Sequence, residues 1–301
     1  MAIEVDGLRV RLGGRTVLDG VSFSVRWGGV TGFLGVNGAG KSTTIRRMLG
    51  LVAGEGVVRV AGDDPARFAN PARVLGVAFD ALHADPAHTP RQHLEQLAAR
   101  AGLSTGCVPT VLERVGLSDD GDGGGGGRRE RRVRSLSLGM RKRLSLAGAL
   151  VGSPAVLVLD EPFDGLDPTG RRWLRALVRD HADRGGAVLL SAHGLDEIAS
   201  VLDDVVVLDG GRVRFAGPTR SLLARAGTHV VVRSPDAEAL RVALEATGAS
   251  ALAVADDGLV VTGASAEDVA RLALRLGLLV VELTTTAPTL SDAFVAAIGR
   301  A

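Results

Sequence analysis

Residues 35–42 have the types and the spacing of a loop that holds phosphate groups. They read Gly35-Val36-Asn37-Gly38-Ala39-Gly40-Lys41-Ser42, which fits G-x-x-x-x-G-K-[ST] between a strand pattern and a helical pattern. Glycines let the backbone fold around phosphates, and the N–H groups at the helix N-terminus point at the anion. Lys41 should reach the β- and γ-phosphates of a nucleotide, and the Ser42 hydroxyl should ligate Mg²⁺. The residues predicted to hold the nucleotide are Gly35, Asn37, Gly38, Ala39, Gly40, Lys41, Ser42 and Thr43.

Two carboxylates follow a short apolar run later in the chain. The run Val156-Leu157-Val158-Leu159 predicts a buried strand, and Asp160 and Glu161 come directly after it. At such a strand end, Asp160 would hold Mg²⁺, and Glu161 would orient or deprotonate the attacking water. Acidic residues often end strands, so the pair alone is a moderate signal. It indicates a metal and water site because the phosphate loop lies in the same chain. Together the motifs predict an ATPase that uses ATP and Mg²⁺, with Lys41 and Glu161 as catalytic residues.

A third motif, Leu136-Ser137-Leu138-Gly139-Met140, begins a helical pattern between the other two, with Ser137 placed 23 residues before Asp160. In this position the motif resembles the signature of the ATP-binding cassette (ABC) family, usually written LSGGQ. Leu138 stands where that signature has Gly, and Met140 stands where it has Gln. The residues Ser137-Leu138-Gly139-Met140 are similar to the same motif in the drug-resistance branch of bacterial exporters. The resemblance implies that two chains dimerise on binding ATP, and that Ser137 and Gly139 of one chain bind the γ-phosphate held by the other.

The same resemblance extends beyond Glu161. Gly165-Leu166-Asp167 is similar to the family's D-loop, which crosses the dimer interface, so Asp167 is expected to lie at that interface. His193 follows the apolar run that ends at Ala192. It matches the family's switch histidine, which hydrogen-bonds the γ-phosphate, and it is therefore a third expected catalytic residue.

Two positions depart from the family pattern. Asp80 follows Val77-Ala78-Phe79, where the family's Q-loop usually has a glutamine that touches Mg²⁺. A carboxylate only accepts hydrogen bonds and reaches less far, so Asp80 is left with two readings, metal contact or a structural role. Leu12 lies where an aromatic residue usually stacks on adenine. Leu12 offers apolar contact without a π-face, and we expect weaker contact with adenine.

Apolar periodicity predicts the elements that position these residues. The expected elements are antiparallel strands within residues 1–30, a strand over 30–34, a helix over 42–49, strands over 57–61 and 74–79, helical structure over 89–116, a Gly/Asp loop over 119–127, a helix over 135–150, and strands over 156–159 and 187–191.

A domain boundary is predicted near residue 227, between an ABC nucleotide-binding domain at 1–227 and an accessory or regulatory domain at 228–301. The second domain is predicted to contain strands over 229–233, 250–255, 258–262 and 279–284 and helices over 236–247, 265–276 and 289–299. Ser265 and Asp268 have the spacing of a capping box. The expected fold class is α/β: a phosphate-loop core sheet, an antiparallel β subdomain and a helical subdomain, followed by a small α+β ferredoxin-like domain.

Composition limits the remaining possibilities. The 301 residues suffice for two domains, and the formal net charge of +1 gives no reason to expect a nucleic-acid partner. Cys107 is the sole cysteine, which excludes an internal disulfide. The acidic start of the chain is unlike a signal peptide, and Ser145, Gly148 and Pro154 are among the residues that interrupt the longest apolar stretch. The expected location is therefore cytoplasmic, peripheral on the inner face of the cell membrane through a partner.

By resemblance, the leading hypothesis is the ATPase subunit of an exporter that drives a hydrophobic compound (a drug, an antibiotic or a lipid) through separate integral-membrane permease subunits. The alternative is a non-transport ABC ATPase associated with translation or DNA repair. Those types usually carry two cassettes or a long coiled coil, and neither is evident in this sequence. A third reading is a phosphate-binding module without turnover, against which Glu161 argues.

Overall fold

The structure is a computed structural model that describes residues 1–80, 82–118, 131–192, 195–254 and 258–299. The chain divides into two compact units, Met1–Thr219 and Arg220–Ala301. The boundary predicted after residue 227 differs from this division only in the unit to which one helix, Thr219–Ala226, is assigned. The loop predicted over 119–127 and the predicted site residue His193 lie outside the described residues.

The first unit contains nine described strands and six described helices, and a seventh helix begins at its last residue. The strands are β1 (Ile3–Leu12), β2 (Arg15–Val25), β3 (Gly29–Leu34), β4 (Glu55–Val60), β5 (Leu75–Ala78), β6 (Val156–Leu159), β7 (Ala187–Ala192), β8 (Asp204–Asp209) and β9 (Arg212–Pro218). The helices are α1 (Lys41–Met48), α2 (Pro90–Arg100), α3 (Val108–Arg114), α4 (Leu138–Leu150), α5 (Pro168–Asp183), α6 (Leu195–Ile198) and α7 (Thr219–Ala226).

A six-stranded core sheet has the order β5-β6-β7-β3-β8-β9. The first five strands are parallel to their neighbours, and β9 runs antiparallel to β8. Every residue of β3, β6 and β7 is buried, as expected for parallel strands covered on both faces. Because β3, β7 and β6 are adjacent and parallel, the residues that follow them lie at one edge of the sheet. Ligands of open α/β sheets bind at that edge.

A three-stranded antiparallel sheet of order β2-β1-β4 packs against the core sheet. The ring of Phe23 in β2 stacks on that of Phe33 in β3, with the ring centres 5.2 Å apart. The antiparallel strands predicted within residues 1–30 are confirmed. This sheet also supports the phosphate loop, because Leu18 of β2 lies directly beside Gly40.

The helical predictions between residues 89 and 150 hold in type but not in extent. The pattern over 89–116 is divided into α2, a short 3₁₀ turn over Thr105–Cys107, and α3. The division is caused by Gly102, whose positive φ of 63° ends α2. The helix predicted from residue 135 begins at 138, because the side chain of Ser137 accepts a hydrogen bond from the Met140 N–H and caps α4.

The second unit contains β10 (His229–Arg233), α8 (Ala237–Ala246), β11 (Ser250–Val254), β12 (Gly258–Thr262), α9 (Ala266–Leu276), β13 (Glu282–Thr286) and α10 (Leu290–Ile298). Its sheet has the order β11-β12-β10-β13 with every pair antiparallel, as in a ferredoxin-like sandwich. The capping box of Ser265 and Asp268 is confirmed.

The last strand of the second unit was predicted at residues 279–284, and that position is wrong. The strand that pairs with β10 is Glu282–Thr286. The apolar residues before it form a connection in which Ser234 Oγ donates to the carbonyl oxygen of Leu279 over 2.6 Å. Side-chain bonds of this kind anchor the connection before the strand, and apolar periodicity does not reveal them.

Close packing of α4 against β5 generates a first prediction. A Cβ on Gly76 of β5 would overlap the carbonyl oxygen of Ala149, which is a backbone atom of α4. Gly76→Ala should therefore lower the free energy of unfolding of the first unit by about 1–3 kcal/mol, measured as a lower midpoint temperature of thermal unfolding. Gly148→Ala is the control, because its Cβ would meet only the tip of Leu97 and alanine is favoured in a helix. An unchanged transition for Gly76→Ala would contradict the proposed constraint.

Candidate active site

The loop between β3 and α1 requires glycine at particular positions. A Cβ on Gly35 would lie 2.6 Å from the carbonyl oxygen of Leu208, and one on Gly40 would lie 2.6 Å from Cδ2 of Leu18. Gly38 and Gly40 also have positive φ angles of 82° and 108°. The sheets therefore hold the loop in a conformation that other residues would not adopt.

The first turn of α1 is open to an anion. Gly40 is the N-cap and has no side chain, so no side-chain hydrogen bond caps this helix. Ser42 and Thr43 are half-buried on this turn, whereas Asn37 and Gly38 are exposed at the loop tip. Uncapped amides at a helix N-terminus favour a bound phosphate, so the loop fits the nucleotide that its sequence predicts.

Lys41 lies beneath this loop and is 6% exposed. Its ammonium donates to the carbonyl oxygen of Gly35 over 2.7 Å. The same ammonium lies 3.5 Å from Oε1 of Glu161. The two predicted catalytic side chains that the structure describes are therefore in direct contact. A buried ammonium at this point can attract phosphate oxygens placed over the loop.

The hydroxyl of Ser191 connects Asp160 to Glu161. Ser191 is fully buried in β7, and its hydroxyl donates to Oδ1 of Asp160 over 2.7 Å. Oγ of Ser191 also accepts a hydrogen bond from the Glu161 N–H over 2.8 Å. Asp160 thus keeps a carboxylate oxygen with a defined direction at the strand end. The hydroxyl of Ser42 and the carboxylate of Asp160 are the types of oxygen ligand that Mg²⁺ prefers, and their role as its ligands stays a prediction.

Glu161 has a φ of 48°, a left-handed conformation that is rare for residues other than glycine. Its backbone is held on both sides. The N–H is bound by Ser191, and the carbonyl oxygen accepts a hydrogen bond from Nζ of Lys142 over 3.1 Å. Strained backbone of this kind is often found where a side chain must be aimed for chemistry.

Asp80 is bound to α4. Its Oδ1 accepts a hydrogen bond from Nζ of Lys142 over 2.5 Å, and the side chain of Asp80 is 68% exposed. Of the two readings of Asp80, this contact supports a structural role. Leu12, expected near adenine, is 45% exposed at the end of β1 and so is accessible to a ligand.

The signature residues lie at the start of α4. Ser137 caps the helix, and Leu138 is 61% exposed. A Cβ on Gly139 would have only ordinary contacts, 3.9 Å from Gly165 and Leu166. Asp167 caps α5 by accepting the Gly170 N–H over 2.7 Å. Ser137 and Asp167 thus have structural roles within one chain, and their contacts with a second chain stay predictions, as does the role of His193.

Sequence reasoning missed Ser191 and Lys142. The hydroxyl of Ser191 is one of many in the sequence, and only the strand register places it beside Asp160. Lys142 did carry a signal. The chain has 35 lysines and arginines, and Lys41 and Lys142 are the only lysines. Both contact Glu161, Lys41 at its carboxylate and Lys142 at its carbonyl oxygen.

The Ser191 bridge generates a second prediction. Ser191→Ala should leave the Glu161 N–H and the Asp160 carboxylate without this partner, and should lower kcat for ATP hydrolysis by about tenfold or more. Thr31→Val is the matched control in the neighbouring strand β3. Thr31 is fully buried, and its hydroxyl has no hydrogen-bond partner within the described chain. If both variants retained the wild-type kcat, the hydroxyl of Ser191 would not be positioning the site.

Comparison with known proteins identifies the family. The ABC transporter family model matches residues 18–164, and a model described as a domain of unknown function matches residues 228–290. The chain is 36% identical over 250 residues to the Nod factor export ATP-binding protein I of Ralstonia nicotianae, covering 80% of this chain and 75% of that protein. It is 38% identical over 234 residues to a daunorubicin resistance ATP-binding protein of Streptomyces coeruleorubidus, covering 75% and 71%.

A solved structure of the ATP-binding subunit of an ABC transporter aligns with a TM-score of 0.66 and 27% identity, over 75% of this chain and 93% of that one. The expected fold is thereby confirmed. The chain belongs to the family of ABC transporter ATP-binding proteins, which bind and hydrolyse ATP.

Proposed function

We propose that this chain is the ATPase subunit of an exporter, in which two copies close around ATP and drive a separate integral-membrane permease. The observation that carries the proposal is the contact of Lys41 with Glu161, since it joins the phosphate loop to the carboxylate that would act on water. Names of relatives support export, because they are called a Nod factor export protein and a daunorubicin resistance protein. We infer a hydrophobic cargo from them.

The residues divide the work of hydrolysis between them. The loop amides and Lys41 hold the phosphates, and the hydroxyl of Ser42 and the carboxylate of Asp160 would hold Mg²⁺. The metal would neutralise charge on the β- and γ-phosphates. Glu161, aimed by its backbone conformation, orients the attacking water and accepts its proton. In the proposed dimer, His193 senses the γ-phosphate, and Ser137, Gly139 and Asp167 complete the site of the other copy.

The proposed location is the cytoplasmic face of the membrane, held there by the permease. None of the helices that the structure describes is long and apolar enough to cross a bilayer. By resemblance to the family, contact with the membrane is proposed to come from the permease subunits, and no nucleic-acid partner is proposed.

A third prediction tests whether the site is shared between chains. Lys41→Ala should remove the main cationic partner of the phosphates, and Gly139→Asp should place a carboxylate against the partner's γ-phosphate. Each variant alone should lose ATPase activity. In a mixture, heterodimers contain one site with both lesions and one intact site, so activity should reappear if one site can turn over alone. No recovery in the mixture would favour a site built within one chain.

Two controls sharpen this test. Gly139→Asn has nearly the shape of Gly139→Asp without the charge, so it should be less inhibited if repulsion is the cause. Glu161→Gln should bind ATP without activating water and should accumulate as an ATP-bound dimer, measured by size-exclusion chromatography. A monomeric Glu161→Gln chain at saturating ATP would count against the shared site.

A fourth prediction tests transport. The chain should fractionate with membranes when its permease is co-expressed, and ATPase activity in those membranes should respond to the exported compound. The Lys41→Ala chain is the control for activity, because it should still fractionate with the membranes while hydrolysing no ATP. A chain that stays in the soluble fraction with every candidate permease would favour the non-transport alternative.

A further inference from the structure

Lys142 is a buried charged residue with no role in the hydrolysis proposed above. It lies on the first turns of α4, and its side chain is 6% exposed. A buried ammonium is costly unless it is paired and hydrogen-bonded. The partners of Lys142 therefore show what the position requires.

Two partners come from two strand ends. Nζ donates to Oδ1 of Asp80, after β5, over 2.5 Å, and to the carbonyl oxygen of Glu161, after β6, over 3.1 Å. These strands are parallel neighbours, with Ala78 opposite Leu159. One ammonium thus ties the signature helix to both strand ends.

The bond to Glu161 matters because of the conformation at that residue. A φ of 48° is rarely adopted by residues with a side chain, so it needs support from its surroundings. Ser191 binds the N–H of Glu161, and Lys142 binds its carbonyl oxygen. Both bonds hold the backbone that carries the Glu161 carboxylate, which lies 3.5 Å from Nζ of Lys41.

We propose that Lys142 is a positioning residue for hydrolysis: its ammonium holds the backbone of Glu161, and the Asp80 carboxylate holds the ammonium in place. Lys142 touches neither ATP nor water in this role and acts through Glu161. Because Asp80 is the exposed member of the pair, anything that displaces Asp80 also changes the support of Glu161. The inference rests on the proposed function, since it requires Glu161 to act on water.

The test uses steady-state ATPase kinetics of the full-length chain. Lys142→Met keeps the length of the side chain and removes its charge and its donors. It should lower kcat by about tenfold or more while the KM for ATP stays within about twofold, because the phosphate loop is untouched. Lys142→Gln keeps a neutral donor and should have an intermediate kcat. It also provides a measurement if Lys142→Met does not fold.

Ser145→Ala is the matched control. Ser145 also links α4 to the end of β5, because its hydroxyl donates to the carbonyl oxygen of Phe79 over 3.3 Å, but this bond does not involve Glu161. Its kcat should stay within about twofold of the wild-type value. An equal loss of kcat in Ser145→Ala would show that general anchoring of α4 is what matters, and would overturn the proposal.

A charge swap separates positioning from simple pairing. Asp80→Lys with Lys142→Asp restores an ion pair but turns an acceptor toward the Glu161 carbonyl oxygen, so kcat should stay low. Recovery in the swap, or a wild-type kcat in Lys142→Met, would overturn the proposal. If the wild-type chain hydrolysed no more ATP than the Lys41→Ala chain, both the proposed function and the positioning role of Lys142 would be rejected. Wild-type hydrolysis with an equally active Lys142→Met would reject the positioning role alone.

Discussion

Leu34 lies opposite Ala192, and Leu159 lies opposite Leu190, so β3, β7 and β6 end together at one edge of the core sheet. This parallel register is the constraint on which the site depends. It brings the phosphate loop to the same edge as Asp160 and Glu161, although the loop is more than a hundred residues before them in the chain. It also places Ser191, on the strand between them, within hydrogen-bond distance of the two acidic residues that follow β6.

Much of the fold and the site could be predicted because the motifs and apolar runs are local signals. The phosphate loop, the strand before Asp160 and the capping box of Ser265 each depend on residues close together in sequence. What was missed is not carried by apolar periodicity. The end of α2 follows from the left-handed conformation of Gly102, which is a local helix stop. The shifted last strand is preceded by residues that are anchored by a side-chain bond between distant residues, Ser234 and Leu279.

The two buried lysines at this site are both paired with acceptors. Lys41 and Lys142 are both almost fully buried, and each finds a carboxylate and a backbone carbonyl oxygen. Buried ion pairs are weak sources of stability, because desolvation offsets most of the attraction. At this site the ion pairs serve to orient Glu161. Lys41 orients the Glu161 side chain, and Lys142 supports its backbone, so two cations act on one residue from opposite ends.

Leu138, the leucine in the signature, packs on the D-loop of its own chain. Its Cδ2 occupies the space where a Cβ on Gly165 would lie, 2.5 Å away. A glycine at position 138 would remove this contact and leave only the φ of 71° to require glycine at 165. The signature and the residues predicted to form the D-loop are thereby in direct contact within one chain. The two positions are expected to covary through evolution, with a large residue at 138 inherited together with glycine at 165.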